Sequence, residues 1–227
     1  MVTKARSSLG PSRRAVSAEL KHRRRGDILA AALRLLAAQP YESISMSSVA
    51  TAAGVAKGTS YLYFPTREAL FLQLLTEHYL DWFDALDARL QQPVADAKDW
   101  VEWLAQDLAG RPMFLRLMAL LHAVLERNVP VIEVIAFKRR LALRVAGSGA
   151  ALERALQLPP TAGVRLLLWL QAIVPGLAQM AAPPAPLQAA LHAAPDLSGF
   201  LIDFSTELRS LVLAVVAGLH VHSEACP

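Results

Sequence analysis

The stretch from Ser45 to Phe64, SMSSVATAAGVAKGTSYLYF, leaves the chain little choice of local structure. Ser45 can cap a short helix, because its hydroxyl accepts an orphan backbone N–H. Val49 and Ala53 fall on the inner face of that helix, and Ala50 is small enough for a second helix to cross closely. Gly54 stands where the chain must turn sharply, and glycine takes positive φ without steric cost. Val55 plugs the corner. The second helix, Lys57 to about Tyr63, presents Lys57, Thr59, Tyr61 and Tyr63. These side chains can donate hydrogen bonds to base edges or phosphates, and Tyr61 can also touch a thymine methyl. A helix of this size fits the major groove of B-DNA. The segment therefore predicts a helix-turn-helix. The competing reading is a helix-turn-helix used only for packing, which leaves the exposed Lys57, Thr59 and Tyr61 without a role.

Charge supports a polyanion contact at this end of the chain. Residues 1–67 hold eleven basic groups against three acidic ones, a balance of +8, and residues 68–227 hold twelve against sixteen, a balance of −4. Together they give the net +4. A basic head on a mildly acidic body suits a partner such as DNA that meets one end only.

The rest of the chain reads as helix. Leu and Ala dominate, β-branched runs are short, and strand signals are scarce. A first helix is expected from about His22 to Ala38, with Ile28, Ala32, Leu35 and Leu36 on one face and Pro40 blocking its continuation. A long helix is expected from the N-cap Thr66 to about Leu90, with Leu72, Leu75, Tyr79, Phe83, Leu86 and Leu90 along one side. Five more follow over about Ala95–Leu108, Pro112–Arg127, Val131–Leu156, Thr161–Met180 and Leu197–Val221. Pro159-Pro160 and Pro183-Pro184 punctuate them, and the Ala- and Pro-rich stretch from Ala181 to Pro195 reads as a loop, with one short helix around Leu187–His192 as the alternative. The fold class is all-α, a three-helix helix-turn-helix domain followed by a larger helical domain. The expected division is a disordered basic arm over 1–20, a DNA-binding domain over 21–66 and a second domain over 67–222. Leu166–Ala182 is the most apolar run, but Gln171, Pro175, Gly176 and Gln179 interrupt it, so a buried core helix is expected and no membrane span. The single cysteine, Cys226, excludes an intrachain disulfide, and the basic N-terminus has no apolar run of the signal-peptide kind. Both fit a cytoplasmic protein.

The segment resembles the TetR family, the tetracycline-repressor-like transcription regulators. The resemblance is strongest over about Arg25–Leu74. It rests on Val49-Ala50, Ala53-Gly54-Val55, Lys57-Gly58-Thr59 and Tyr61-Leu62-Tyr63-Phe64-Pro65, and continues into Arg67-Glu68-Ala69-Leu70. The resemblance implies that Lys57, Gly58, Thr59 and Tyr61 face the groove and that Ser45, Tyr63 and Arg67 contact phosphates. It also implies a core role for Val49 and Phe64. Two positions depart from the family pattern. Ala56 replaces the usual capping Ser or Thr, a change that typically costs about 1 kcal/mol of helix stability. Ser47 replaces a longer polar residue. The basic arm can compensate with phosphate or minor-groove contacts.

The resemblance further implies a ligand-binding and dimerisation domain beyond residue 67. A two-helix reader contacts few base pairs, so a two-fold homodimer on palindromic double-stranded DNA is the natural arrangement. Leu168, Ile173, Leu201, Phe204, Leu208, Leu211, Val212 and Val215, on the two most apolar helices, could form a four-helix interface between subunits. They could equally be core. For an effector site, Trp103, Gln106, Phe114, Met118, His122, Phe137, Trp169 and Gln171 mix aromatic, Met and polar side chains in a way that suits a mostly apolar or aromatic small molecule, although a Met and aromatic stripe is more often core than ligand site.

Enzyme chemistry finds no footing. There is no phosphate-binding Gly loop after a strand and no nucleophile motif. Glu77–His78–Asp81 and His122–Glu126 read as helix charge pairing rather than metal sites. No catalytic residue, metal or cofactor is expected. What the resemblance implies is a small-molecule-released repressor. Two other readings stay open, a DNA-binding protein without a ligand and an all-helical interaction module.

Overall fold

The computed structural model describes residues 13–224, and these residues form ten α-helices joined by short turns, with no strand among them. The chain separates into two compact units, residues 1–70 and 71–227. The boundary at Leu70/Phe71 falls inside one helix, α4 (Arg67–Leu90).

The first unit contains α1 (Arg13–Ala38), α2 (Met46–Ala52) and α3 (Lys57–Tyr63). Helix α1 starts well before the expected His22. Residues 13–20, read from sequence as arm, are rich in strong helix formers (Arg, Ala, Glu, Leu) and hold neither Gly nor Pro, so they extend the helix. Residues 1–12 of the expected arm, and Cys226, lie outside the described residues. Ile28, Ala32 and Leu36 are fully buried against α2, whose Val49 and Ala50 face inward. Arg34 of α1 donates to the carbonyl of Ala52 at 3.2 Å and so closes the C-terminal end of α2.

The second unit begins with the remainder of α4, where Leu72, Leu75, Tyr79, Phe83 and Leu86 are buried along one side. It continues with α5 (Ala97–Ala109), α6 (Pro112–Leu120), α7 (Val131–Leu156), α8 (Ala162–Ala181), α9 (Ala185–Ala193) and α10 (Phe204–Glu224). Helix α6 does not run regularly to Arg127 as expected. It widens into a π-helical turn over Leu121–Leu125, where the Glu126 N–H donates five residues back to Leu121 at 3.0 Å. Helix α10 starts later than the expected Leu197. Asp203 accepts from the Thr206 N–H at 2.8 Å and caps it, while Pro195–Phe200 forms a separate 3-10 stretch.

Helix α8 is long and apolar enough to cross a membrane. In this fold it packs against α6, α7 and α10 and buries Leu166, Leu167, Leu170, Val174 and Leu177. Its crossing with α7 is set by two glycines. A Cβ on Gly163 would lie 2.1 Å from the Gly149 carbonyl oxygen. The Gly163 N–H, in the first turn of α8, donates to the Glu153 carboxylate of α7 at 3.1 Å.

Candidate nucleic-acid interface and interior cavity

In the first unit the helix-turn-helix is built from local signals. Ser45 caps α2: its Oγ accepts from the Ser48 N–H at 3.1 Å, and Ser48 Oγ accepts from the Ser45 N–H at 3.0 Å. This is a reciprocal capping box with serine in place of the commoner Glu or Gln. Gly54 turns the chain with φ +65°, where a side chain would be strained. Val55, half-buried at the corner, donates to the Ala50 carbonyl at 3.0 Å. Ala56 offers α3 no side-chain cap. Ser60, fully buried, donates to the Lys57 carbonyl at 2.7 Å within the helix.

Helix α3 turns Lys57, Gly58, Tyr61 and Leu62 outward. Leu62 is 84% exposed, and the sequence reading passed over it as a contact residue; a leucine inside an otherwise polar tract was the available signal. A Cβ built on Gly58 would meet nothing within 4 Å, so no packing demand inside the unit requires glycine there. Thr59 and Tyr63 are half-buried, and Ser45 is exposed. Tyr63 shares a groove with Leu20, Lys21, Arg23, Arg24 and Asp27, which brings the basic start of α1 beside α3.

Arg67, which the sequence places as a phosphate contact, also makes several bonds within the first unit. Its Nη1 donates to the Ile44 carbonyl at 2.7 Å, its Nε and Nη2 donate to Glu68 Oε1 at 3.1 and 3.0 Å, and its guanidinium lies 4.2 Å from the Tyr41 ring centroid. Tyr41 OH donates to the same Glu68 oxygen at 3.0 Å. Burial alone would raise the Glu68 carboxyl. A backbone N–H and the bonds from Arg67 and Tyr41 outweigh it and hold Glu68 below the usual carboxylate range.

The second unit encloses a cavity walled by Tyr79, Trp82 and Phe83 of α4, Leu108 of α5, Phe114 and Met118 of α6, and Leu167, Leu170, Gln171 and Val174 of α8. Its free space is about 20 Å³, room for roughly one water. Three of the expected effector residues, Phe114, Met118 and Gln171, stand in this wall. The other five do not. Gln106 is exposed and donates to Glu102 at 2.7 Å. Trp103 is half-buried away from the wall. His122 is largely exposed and pairs with Glu126 at 3.0 Å. Trp169 lies partly exposed under the Arg165 guanidinium, 4.8 Å from its centroid. Phe137 is buried beside Tyr79 with centroids 6.1 Å apart, behind the wall. The sequence reading missed Tyr79, Trp82 and Phe83 as wall residues, although Tyr79 and Phe83 stood in its apolar stripe. His78 stacks on Phe114 at 6.2 Å; burial lowers its pKa, and Arg111 adds to the shift against the opposing Asp81 and Glu77.

The proposed interface residues also divide. Leu208 and Val212 have no exposed surface in the protomer and belong to its core, where α10 packs on α5 and α8. Leu211, turned about 60° from Leu208 and about 100° from Val212 around the helix, reaches the surface and is 41% exposed, and Leu168 is 51% exposed. Ile173, Leu201, Phe204 and Val215 are half-buried.

Residues 28–74 match the family of bacterial regulatory proteins, tetR family, and residues 76–223 match the tetracyclin repressor-like C-terminal domain. The second match alone spans more than half of the chain. The chain belongs to the TetR family of transcriptional regulators. Among curated relatives of this TetR-family protein, the HTH-type transcriptional regulator EthR of Mycolicibacterium smegmatis is 42% identical over 52 residues, which is 23% of this chain and 24% of the relative. YuxN of Bacillus subtilis, an uncharacterized HTH-type transcriptional regulator, is 40% identical over 52 residues, 23% of this chain and 18% of the relative. These matches thus span under a quarter of the relatives' lengths. Solved structures share the fold across both units. A TetR-family regulator from Mesorhizobium loti superposes with TM-score 0.57 at 20% identity, over 87% of this chain and 95% of its own. The fatty acid degradation regulator FadR of Bacillus halodurans gives 0.55 at 18%, over 86% and 98%. FadR of Bacillus subtilis, solved with stearoyl-CoA, gives 0.53 at 17%, over 86% and 98%.

Proposed function

We propose that this TetR-family regulator is a cytoplasmic homodimeric repressor that binds a palindromic operator through α3 and leaves it when a small, mostly apolar molecule enters the cavity of the second unit. The observation that carries the DNA reading is Gly58. Gly58 is the second residue of α3, where glycine is a poorer helix former than alanine, and nothing within the unit requires it. A surface that must approach closely does. Lys57, Tyr61 and Leu62 surround it with a cation, a hydrogen-bonding ring and an apolar contact for a thymine methyl. Ser45 and Tyr63 flank this face as phosphate contacts, joined by Lys21, Arg23 and Arg24.

Two copies are needed to read enough base pairs. The apolar residues Leu168 and Leu211, with the exposed small residues Ala172, Gly176, Ala214 and Ala217 on the same two helices, supply the surface for pairing. The effector acts by favouring one of two conformations, and α4, shared in sequence by both units, transmits the shift.

One observation favours a second reading, DNA binding without an effector: the free space of about 20 Å³ is far below the several hundred Å³ of ordinary ligand sites. A gel shift with the DNA flanking the protein's own gene separates the readings. The repressor reading expects a complex of two protomers per operator that dissociates on titration with a small apolar aromatic. A stable complex insensitive to a panel of such compounds supports the second reading, and no complex with any DNA removes both.

A further inference from the structure

None of the ten side chains around the cavity of the second unit carries a formal charge, and four of them are aromatic. Among the described residues one fully buried polar atom of this wall is left without a partner. Trp82 is 5% exposed, and its buried indole Nε1 hydrogen-bonds to no group. An indole N–H can only donate, and leaving it unpaired in an apolar interior costs free energy that an acceptor would recover. Trp100 also has an unpaired indole N–H, but it lies outside the wall, where no ligand atom can reach it. Across the cavity, Gln171 of α8 adds an amide with both donor and acceptor capacity.

On the effector reading above, we propose that the cavity selects an uncharged, flat, ring-containing molecule bearing one carbonyl-type oxygen, which accepts the indole N–H of Trp82. A carboxylate or ammonium would enter without a counter-charge and lose its hydration. A pure hydrocarbon would fill the walls and leave Trp82 unpaired. The space must widen to admit any such molecule, and on this proposal α6 is the wall that moves. It carries Phe114 and the pliable Met118, and runs directly into the π-helical turn Leu121–Leu125. A turn of this kind interrupts the regular hydrogen-bond ladder and is frequent at functional sites.

The test uses full-length protein and three probes sharing one bicyclic skeleton: indane, 1-indanone and indane-1-carboxylate. Calorimetric titration should show 1-indanone binding about tenfold more tightly than indane, the worth of one satisfied buried donor, and the carboxylate binding more weakly than the ketone. Trp82→Phe keeps an aromatic ring and removes the donor, so the ketone-to-hydrocarbon ratio should fall to near one. Should that variant fail to fold, the wild-type indole N–H resonance of Trp82 gives the same answer, moving downfield with 1-indanone and not with indane. The proposal is overturned by a wild-type ratio near one, by a ratio that survives Trp82→Phe, by tightest binding of the carboxylate, or by absence of binding of both neutral probes. If 1-indanone binds with the expected ratio but operator affinity stays unchanged, the ligand assignment stands and the effector reading falls.

Discussion

Arg67 illustrates how a single residue's role depends on neighbours distant in sequence. Its guanidinium ties the Ile44 carbonyl, the Glu68 carboxylate and the Tyr41 ring together. Arg67→Ala should therefore lower the stability of the first unit by about 1–2 kcal/mol, since hydrogen bonds to charged groups contribute on that scale and this one is partly solvent-screened. Chemical denaturation followed by circular dichroism measures it. An unchanged midpoint would contradict this structural role. His78 carries a pH prediction. Its folded pKa lies below the ordinary 6.5, so the unfolded chain takes up the proton first as pH falls. Stability is full above that value and declines as pH drops through it. His78→Gln should flatten the dependence of Tm between about pH 7 and pH 5, and an unaltered slope would contradict the assignment. Residue roles fixed by local backbone were legible in the sequence: Gly54 at positive φ, Ser45 as a cap, Ala56 as a missing one. Arg67 and Trp82 were not, because what each touches is decided by residues that only tertiary packing brings near.

At the scale of elements, the crossing of α7 and α8 leaves no room for side chains. Gly163→Ala would place a methyl against the Gly149 carbonyl and force the helices apart. The expected loss is about 3 kcal/mol, at the upper end of overpacking effects, read as a fall in thermal midpoint; a stable, unperturbed Gly163→Ala variant would refute the close crossing. The existence of the longer helices α1 and α4 followed from apolar period, because each must bury one stripe. Ends were less legible. Helix α1 extends to Arg13 because propensity alone sustains it where no breaker stands. Helix α10 begins at Phe204 because the Asp203 carboxylate caps that turn, a signal hidden among apolar residues that read as continuous helix. The π-turn after α6 has no periodic signature that five residues could reveal.

For the whole molecule, the distinction between core and pairing surface is the main correction to the sequence reading. Val212 and Leu208 share the apolar run with Leu211, and period alone cannot say which side faces a partner. Val212→Glu should unfold the second unit, because it buries a charge with no counter-ion. Leu211→Glu should leave the protomer folded and shift sedimentation toward monomer, with weaker operator binding. Retention of a full-affinity dimer in Leu211→Glu would move the interface elsewhere. The cavity was legible in small part: Phe114, Met118 and Gln171 were singled out by chemistry, while its α4 wall was visible only as a stripe of core aromatics. The central claim is that α3 meets DNA at Gly58, and the most direct measurement is the affinity of Gly58→Val for operator DNA beside its thermal stability. Open space at Gly58 predicts a Tm close to wild type together with a loss of operator affinity of at least about tenfold, the equivalent of 1.4 kcal/mol. Undiminished affinity at unchanged stability would contradict the account.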